Sequence, residues 1–280
     1  MPWKAALRSG LFVAHAESIS EALATVVLCR ASPREVAAAS FLALAALLTS
    51  ASASAIPGRR PQSRPNPAPV SPANIFARGS TVIYSDHWAG AVKESTGISH
   101  VEGTIRVPKV TGGQGAGAAA WVGIDGNVCP EALLQTGVTS YADGTFEGWI
   151  EWWPKLSEPF EGFEIKAGDE IKMSVDAISS TSGKATLENS VSKTITNAPA
   201  KLCFKTAEWI VEAFSDSQGN LQKLSNFESV AFTDTVAHSD EGVIGVEGAD
   251  VYLIKSKNQQ KASTACDLQK AGVTCDYVAQ

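Results

Sequence analysis

Two short stretches of the chain carry the side chains with the clearest capacity for chemistry. Gln135 ends the apolar run ALLQ, and Glu212 lies within AEWIVEAF at 207–214. A carboxylate can take a proton from water and return it to a leaving group, while an amide NH2 can stabilise a developing oxyanion. If these two side chains meet in the folded chain, they supply what hydrolysis of a peptide bond requires.

The stretch at 207–214 has the periodicity of a strand. Alternation puts Glu208 and Glu212 on one face and Trp209 and Val211 on the other. A helix is the rival, because the two glutamates are four residues apart, but the run is short and rich in β-branched and aromatic residues. We predict a strand. The local pattern alone fits an ordinary solvated carboxylate equally well.

The elements that must position these residues are short strands. From residue 81 onward, β-rich runs alternate with clusters of Gly, Asn, Asp and Ser, and long helical periodicity is absent. Strands at such intervals, with turn signals between them, predict an all-β sandwich or barrel. We assign residues 81–280 to one domain of this kind.

Charge divides the chain into two parts. Before residue 80 there are eight basic and three acidic residues, which leaves 15 basic and 26 acidic residues in the remainder. An acidic body argues against a nucleic-acid partner. It suits a protein that works at low pH, where part of this charge is neutralised.

The first 55 residues form an N-terminal extension that ends as a signal peptide does. Thirteen uncharged, mostly apolar residues at 36–48 precede a small-residue tract, and Ala53 and Ala55 fit the A-x-A rule for cleavage after Ala55. The apolar run is short of the ~20 residues that a membrane span needs, although an anchor is the alternative because the uncharged stretch continues to Ile56. We expect a secreted, extracellular protein with no membrane association after processing.

Residues 56–80 are rich in Pro and Arg and cannot bury a core. We interpret them as a pro-segment or linker, with Arg59–Arg60 as a dibasic processing site. A basic pro-segment can dock on an acidic domain and hold it as a zymogen at neutral pH. A plain spacer is the alternative.

Cysteine usage fits an oxidising compartment. Cys129, Cys203, Cys266 and Cys275 lie in the predicted domain, and four cysteines allow three pairings. A Cys129–Cys203 bond would tie the two functional stretches together, and a Cys266–Cys275 bond would close a terminal hairpin. We expect no metal and no cofactor, because there is no CxxC pair and the four histidines are scattered.

Five motifs in order resemble one known family, the fungal glutamic peptidases (eqolisins). They cover about residues 82 to 278 and read WVGIDG, LLQTGV, GWIEWWP, SGKATLEN and AEWIVEAF. The resemblance implies a sandwich of two curved antiparallel sheets, of the concanavalin A-like lectin and glucanase type. It also implies an acid endopeptidase that acts on polypeptides and takes Gln135 and Glu212 as its catalytic dyad.

The same resemblance points to other groups near the dyad. Alternation in GWIEWWP puts Trp149, Glu151 and Trp153 on one face, and the interleaved carboxylate favours a groove over a core. The resemblance also places Trp121 and Asp125 beside the substrate or just behind the groove. We therefore predict substrate contacts from Trp121, Asp125, Trp149 and Glu151, and we expect a monomer.

Two other functions fit parts of this pattern. A sandwich glycosidase would use paired carboxylates such as Glu151 and Glu212, and a non-catalytic carbohydrate-binding protein would use tryptophans as stacking platforms. Gln135 discriminates between them, because a glycosidase needs a second carboxylate and no amide. A serine hydrolase is disfavoured because no GxSxG elbow occurs.

Overall fold

The regular structure of the chain is entirely β within the residues that the computed structural model describes, namely 72–76, 80–188 and 190–280. The predicted signal peptide, Arg59–Arg60 and most of the predicted linker lie outside them. The strands are β1 (Pro72–Phe76), β2 (Ser80–Ser85), β3 (Trp88–Glu94), β4 (His100–Arg106), β5 (Gly117–Asp125), β6 (Leu133–Tyr141), β7 (Phe146–Trp153), β8 (Glu158–Pro159), β9 (Glu170–Ser179), β10 (Ser182–Leu187), β11 (Val191–Ile195), β12 (Thr206–Glu212), β13 (Ser229–Ser239), β14 (Gly242–Ile244), β15 (Asp250–Ile254), β16 (Thr264–Gln269) and β17 (Gly272–Tyr277).

These strands form two sheets. A nine-stranded sheet has the order β1-β2-β15-β3-β12-β5-β6-β7-β8, and an eight-stranded sheet has the order β11-β10-β9-β4-β13-β17-β16 with β14 beside β13. Neighbours pair antiparallel except β2 and β15, which are parallel. The predicted β-sandwich is therefore confirmed, whereas its assignment to the concanavalin A-like type stays a prediction.

Alternation along the strands of the nine-stranded sheet separates two apolar clusters. Residues such as Val122, Leu134 and Trp209 face the eight-stranded sheet and belong to the large core between the sheets. Intervening residues such as Trp121 and Ile210 form a second, smaller cluster. We call the face that carries this second cluster the outer face. The prediction that Glu208 and Glu212 share a face opposite Trp209 agrees with this division.

The edge of the nine-stranded sheet extends into the segment predicted to be a linker. Strand β1, at 72–76, pairs antiparallel with β2, so within the described residues strand structure begins before residue 81. Composition hid this strand because it lies in a Pro-rich segment and itself contains Pro72, whereas an edge strand tolerates Pro where no backbone donor is needed. No helix long and apolar enough to cross a membrane occurs in the described ranges.

Two disulfides are formed. Cys129 bonds to Cys203 across 74 residues, and Cys266 bonds to Cys275, its direct cross-strand partner on β16 and β17. Of the three pairings open to the sequence, this one joins the turn after β5 to the segment that leads into β12. It therefore links the two strands that carry much of the candidate site.

Candidate active site

Gln135 and Glu212 both lie on the outer face, on strands separated by β5. Gln135 on β6 pairs with Gly123, and Glu212 on β12 pairs with Ala119, so the two are offset by four residues along β5. Both are almost completely buried. No direct hydrogen bond joins them, because neither amide atom of Gln135 has a partner in the described part of the chain. The structure thus brings the predicted dyad to one face without a direct hydrogen bond between the two side chains.

Trp121 stands between the two predicted catalytic residues. Its position on β5 is midway between Gly123 and Ala119, and its indole Nε1 donates a hydrogen bond of 2.7 Å to Oε2 of Glu212. Trp88 packs against it edge-on, with ring centroids 5.1 Å apart. The indole therefore fixes one oxygen of the Glu212 carboxylate.

Glycines make room for the Trp121 side chain. A Cβ at Gly123 would lie 2.9 Å from Cζ3 of Trp121, and one at Gly137 would lie 2.5 Å from Cβ of Trp121. Contacts this short do not occur in relaxed structures, so both neighbouring positions need glycine. Gly123 of WVGIDG and Gly137 of LLQTGV are thus explained by packing against Trp121.

Four residues form a line across the strands of the outer face. Glu208 on β12 pairs with Gly123 on β5, Gly123 pairs with Gln135 on β6, and Gln135 pairs with Glu151 on β7. We call this set the cross-strand row. All three polar side chains are buried to 1% exposure or less. The structure therefore places Glu151 directly beside Gln135, as expected for a residue of the same groove.

Trp149 belongs to the outer-face aromatic cluster. It pairs with Gly137, its indole Nε1 donates a 2.9 Å hydrogen bond to Thr139, and its carbonyl accepts one from Thr136. Trp153 packs against the same cluster. Trp149 thus lies on the predicted face, although its ring is buried and its indole donor is already used within the protein.

Asp125 holds the backbone that leads into β12. Its carboxylate accepts hydrogen bonds of 2.6, 2.8 and 2.7 Å from the backbone N–H groups of Cys203, Phe204 and Lys205. These bonds favour the ionised form, but burial is the larger effect and raises the pKa of Asp125. Asp125 is completely buried, which favours the alternative in which it supports the groove from behind.

Glu208 is a buried acid. The sequence predicted that it shares a strand face with Glu212 but assigned it no function. Neither of its carboxyl oxygens has a hydrogen-bond partner of normal geometry in the described ranges. Burial raises its pKa well above the ordinary value, the nearby Thr206 hydroxyl lowers it, and the charge of Asp125 raises it further. The signal that could have found this residue was its spacing from Glu212, since both recur at even intervals on one strand face.

A hydrogen bond between Asn127 and Tyr252 lies near Glu208. Asn127, in the turn after β5, donates from Nδ2 to the Tyr252 hydroxyl on β15 over 2.6 Å. Burial raises the pKa of Tyr252, and the negative charges of Asp250 and Glu208 add to this effect.

In the parts of the chain that are described, no cluster of His, Cys, Asp and Glu is arranged to hold a metal ion.

His87, in the turn before Trp88, is joined to its surroundings by several hydrogen bonds. Its Nδ1 bonds to the carboxylate of Asp86, and this hydrogen bond lowers the pKa of Asp86. The backbone N–H groups of His87 and Trp88 both bond to the Ser85 hydroxyl, and the His87 carbonyl accepts from Ala213 N–H. The turn before Trp88 is therefore anchored directly to the chain just after Glu212.

Comparisons with known proteins show the family to which the chain belongs. Residues 86–277 match the model of the Peptidase A4 family. Scytalidopepsin B of Scytalidium lignicola is 37% identical over 256 residues, which cover 84% of this chain and 97% of that protein. Aspergillopepsin-2 of Aspergillus niger is 38% identical over 226 residues, or 70% of this chain and 78% of that protein.

Solved structures of similar proteins have the same architecture. A crystal structure of scytalido-glutamic peptidase with a transition-state analogue inhibitor matches 69% of this chain and 99% of its own, at 39% identity and a TM-score of 0.66. Aspergilloglutamic peptidase from Aspergillus niger matches 58% of this chain and 99% of its own, at 39% identity and a TM-score of 0.55. The residues matched by the family model, 86–277, include Gln135 and Glu212.

Proposed function

The chain belongs to the Peptidase A4 family and is a glutamic endopeptidase, and on that premise we propose that Glu212 and Gln135 are its catalytic residues. The observation that carries this assignment is the 2.7 Å hydrogen bond from Trp121 to Glu212, on the face that also presents Gln135. This hydrogen bond orients the carboxylate that would act on the attacking water molecule. The comparisons give no support to the glycosidase or carbohydrate-binding alternatives.

In the proposed reaction Glu212 acts first as a base and then as an acid, while Gln135 donates a hydrogen bond. Glu212 takes a proton from a water molecule as the water oxygen attacks the carbonyl carbon of the scissile peptide bond. The NH2 of Gln135 donates a hydrogen bond to the carbonyl oxygen as it becomes an oxyanion. Glu212 then gives the proton to the leaving nitrogen, the C–N bond breaks, and an acid and an amine are released.

The polypeptide substrate is proposed to lie over Trp121, because Trp121 separates the two catalytic side chains. Glu151 extends the cross-strand row on the side of Gln135, and we propose that it and Trp149 contact the substrate there. Asp125 is assigned a supporting role, since its carboxylate holds the backbone before β12.

Activity is proposed to be greatest at acid pH. Only one member of the dyad titrates, which differs from the two carboxylates of an aspartic protease. The acid limb of activity then reports the ionisation of Glu212 alone, and inhibitors of aspartic proteases have no target here. The acidic composition of the predicted domain fits work at low pH.

Secretion and processing are proposed from the sequence and the two disulfides. An N-terminal extension and signal peptide at residues 1–55, a pro-segment at 56–80 that keeps the enzyme as a zymogen, and the peptidase domain at 81–280 form a consistent order. Disulfides persist in oxidising compartments, and both lie within this domain. We propose an extracellular monomer.

The assignment is tested by digesting an unfolded protein across about pH 2–7, with an aspartic-protease inhibitor present throughout. The folded, processed enzyme is compared with Glu212→Gln, Gln135→Ala and Glu151→Gln variants. We expect cleavage at acid pH that the first two substitutions lower by about 100-fold or more. If Gln135→Ala keeps full activity while Glu151→Gln abolishes it, the proposed dyad is wrong.

A further inference from the structure

Glu208 is a buried acid for which the proposed reaction has no use. Its side chain is 0% exposed on the outer face, four residues before Glu212, and its carboxyl oxygens have no partner of normal geometry in the described ranges. Burial favours its neutral form, since it raises the pKa well above the ordinary value. A neutral carboxyl group is a hydrogen-bond donor as well as an acceptor.

Gln135 lies across from Glu208, and its side chain also lacks hydrogen-bond partners within the described residues. The NH2 and the carbonyl oxygen of its amide are both buried and unpartnered in the same ranges. The two residues lie on either side of Gly123 in the cross-strand row, and the ends of the Trp121 and Leu133 side chains pack over Gly123. Because adjacent strands are about 4.8 Å apart, the two backbones are roughly 10 Å apart, a span that side chains of this length and one water molecule can bridge.

Two other groups near Glu208 already have partners, and a third, Thr206, has none of normal geometry in the described ranges. The Tyr252 hydroxyl receives the amide of Asn127, and the oxygens of Asp125 receive three backbone N–H groups. Thr206 lies close to Glu208, but its hydroxyl makes no hydrogen bond of normal geometry. Buried polar atoms are almost always satisfied, often by an internal water molecule. The cross-strand row therefore carries buried polar groups on both sides of Gly123 that such a water would satisfy.

The orientation of the Gln135 amide matters for catalysis. An amide side chain can present either its NH2 or its carbonyl oxygen to the substrate, and only the NH2 stabilises an oxyanion. A donor that faces the carbonyl oxygen selects the productive orientation. We propose that Glu208 is a positioning residue whose neutral carboxyl group donates, through one buried water, to the carbonyl oxygen of Gln135. This inference rests on the proposed role of Gln135.

The test measures binding as well as turnover. Dissociation constants of a peptide-based transition-state analogue and of the corresponding unreactive peptide are measured by calorimetry at the pH of maximal activity, together with kcat and KM. The variants are Glu208→Leu, Glu208→Gln and Gln135→Ala, the double variant Glu208→Leu/Gln135→Ala, and Thr206→Val as the matched control. Thermal melting checks that each variant is folded.

We expect Glu208→Leu to weaken binding of the analogue and to lower kcat by about tenfold, because one hydrogen bond is lost. KM and the affinity for the unreactive peptide should change less than about threefold, since the bond serves the transition state. Glu208→Gln keeps a donor and should stay within about threefold of the wild type. Thr206→Val should leave kcat unchanged, and Glu208→Leu should have no further effect when Gln135 is already Ala.

Several results would overturn the inference. An unchanged kcat and analogue affinity in Glu208→Leu, or an equal loss in the Gln135→Ala background, would show that Glu208 does not act through Gln135. A loss in Glu208→Gln as large as that in Glu208→Leu would show that donation is not what matters. If Glu208→Leu does not fold, Glu208→Asp decides the question in the same cycle, because it withdraws the carboxyl group by one methylene.

The result for Gln135→Ala distinguishes failure of the proposed catalytic role of Gln135 from failure of the proposed positioning role of Glu208. If that variant binds the analogue as well as the wild type and keeps its kcat, the catalytic assignment fails and the positioning role fails with it. If Gln135→Ala is impaired while Glu208→Leu behaves as the wild type, only the positioning role is overturned.

Discussion

The indole of Trp121 and the carboxylate of Glu212 are joined by a buried hydrogen bond of 2.7 Å between adjacent strands. Trp121 pairs with Ile210 and not with Glu212, so the bond runs diagonally along the outer face. It holds the carboxylate over β5 and toward the side of the sheet that carries Gln135. The position of the proposed general base is therefore set by a neighbouring strand as well as by its own.

Replacing Trp121 with Phe should lower kcat by about 10- to 100-fold, because a hydrogen bond to a charged group is lost while most of the ring remains. The matched control is Trp209→Phe, which removes an indole that donates to the Glu102 carbonyl from the inner face of β12. Steady-state kinetics and thermal melting are measured on both. We expect the control to lose stability but to keep its kcat per folded molecule. Equal kcat losses in the two variants would argue against a catalytic role for the Trp121 bond.

Much of the site could be predicted because strand alternation is a simple rule. The pattern in AEWIVEAF put Glu208 and Glu212 opposite Trp209, and the structure agrees. The sandwich class followed from turn signals at short intervals. Resemblance to a family, and not the local pattern, singled out Gln135, since one amide at the end of an apolar run has no distinguishing chemistry.

Other features depended on pairing between distant strands, which no local pattern encodes. The register that puts Glu208, Gln135 and Glu151 in one row is set by contacts across four strands. Asp125 was expected near the substrate, but its acceptors are used by backbone groups almost 80 residues later in the chain. Strand β1 was hidden in a Pro-rich segment because edge strands tolerate the residues that mark linkers.

Gly123→Ala should impair activity more than stability alone explains. The added methyl would lie 2.9 Å from the Trp121 ring and 3.3 Å from Cβ of Gln135, so both side chains must shift. Overpacking of this kind costs about 1–3 kcal/mol. The control is Gly113→Ala, where the methyl meets no atom within 4 Å. Melting temperature and kcat are measured for both, and wild-type turnover by folded Gly123→Ala would contradict the proposed packing.

Removal of the Cys129–Cys203 disulfide should destabilise the enzyme more than removal of Cys266–Cys275. The first closes a loop with a sequence separation of 74 residues and the second a loop of 9. The chain-entropy model gives about 4 and about 3 kcal/mol respectively. Paired Cys→Ser variants are compared by urea unfolding. Loss of the Cys129–Cys203 bond should also lower kcat, because the segment that this bond restrains leads into β12. An unchanged kcat would show that this restraint does not contribute to catalysis.

Glu208 should make the folded enzyme less stable as the pH rises. Below the ordinary Glu value of 4.5, the carboxyl group is neutral in both the folded and the unfolded chain. Above it, the unfolded chain releases the proton while the folded chain retains it, so the free energy of unfolding falls by up to ~1.4 kcal/mol per pH unit until the raised folded pKa is reached.

Groups around Glu208 oppose its ionisation. Asp125 faces it from β5 and Tyr252 from β15, and neither supplies a positive charge, while Gln135 and Glu151 complete the row on β6 and β7. Glu208→Gln cannot ionise, so its free energy of unfolding should exceed that of the wild type by an amount that grows as the pH rises above 4.5. Urea unfolding at several pH values measures this difference, with the exposed Glu131→Gln as the charge-matched control. Parallel curves for the wild type and Glu208→Gln would show that Glu208 is not held neutral in the folded enzyme.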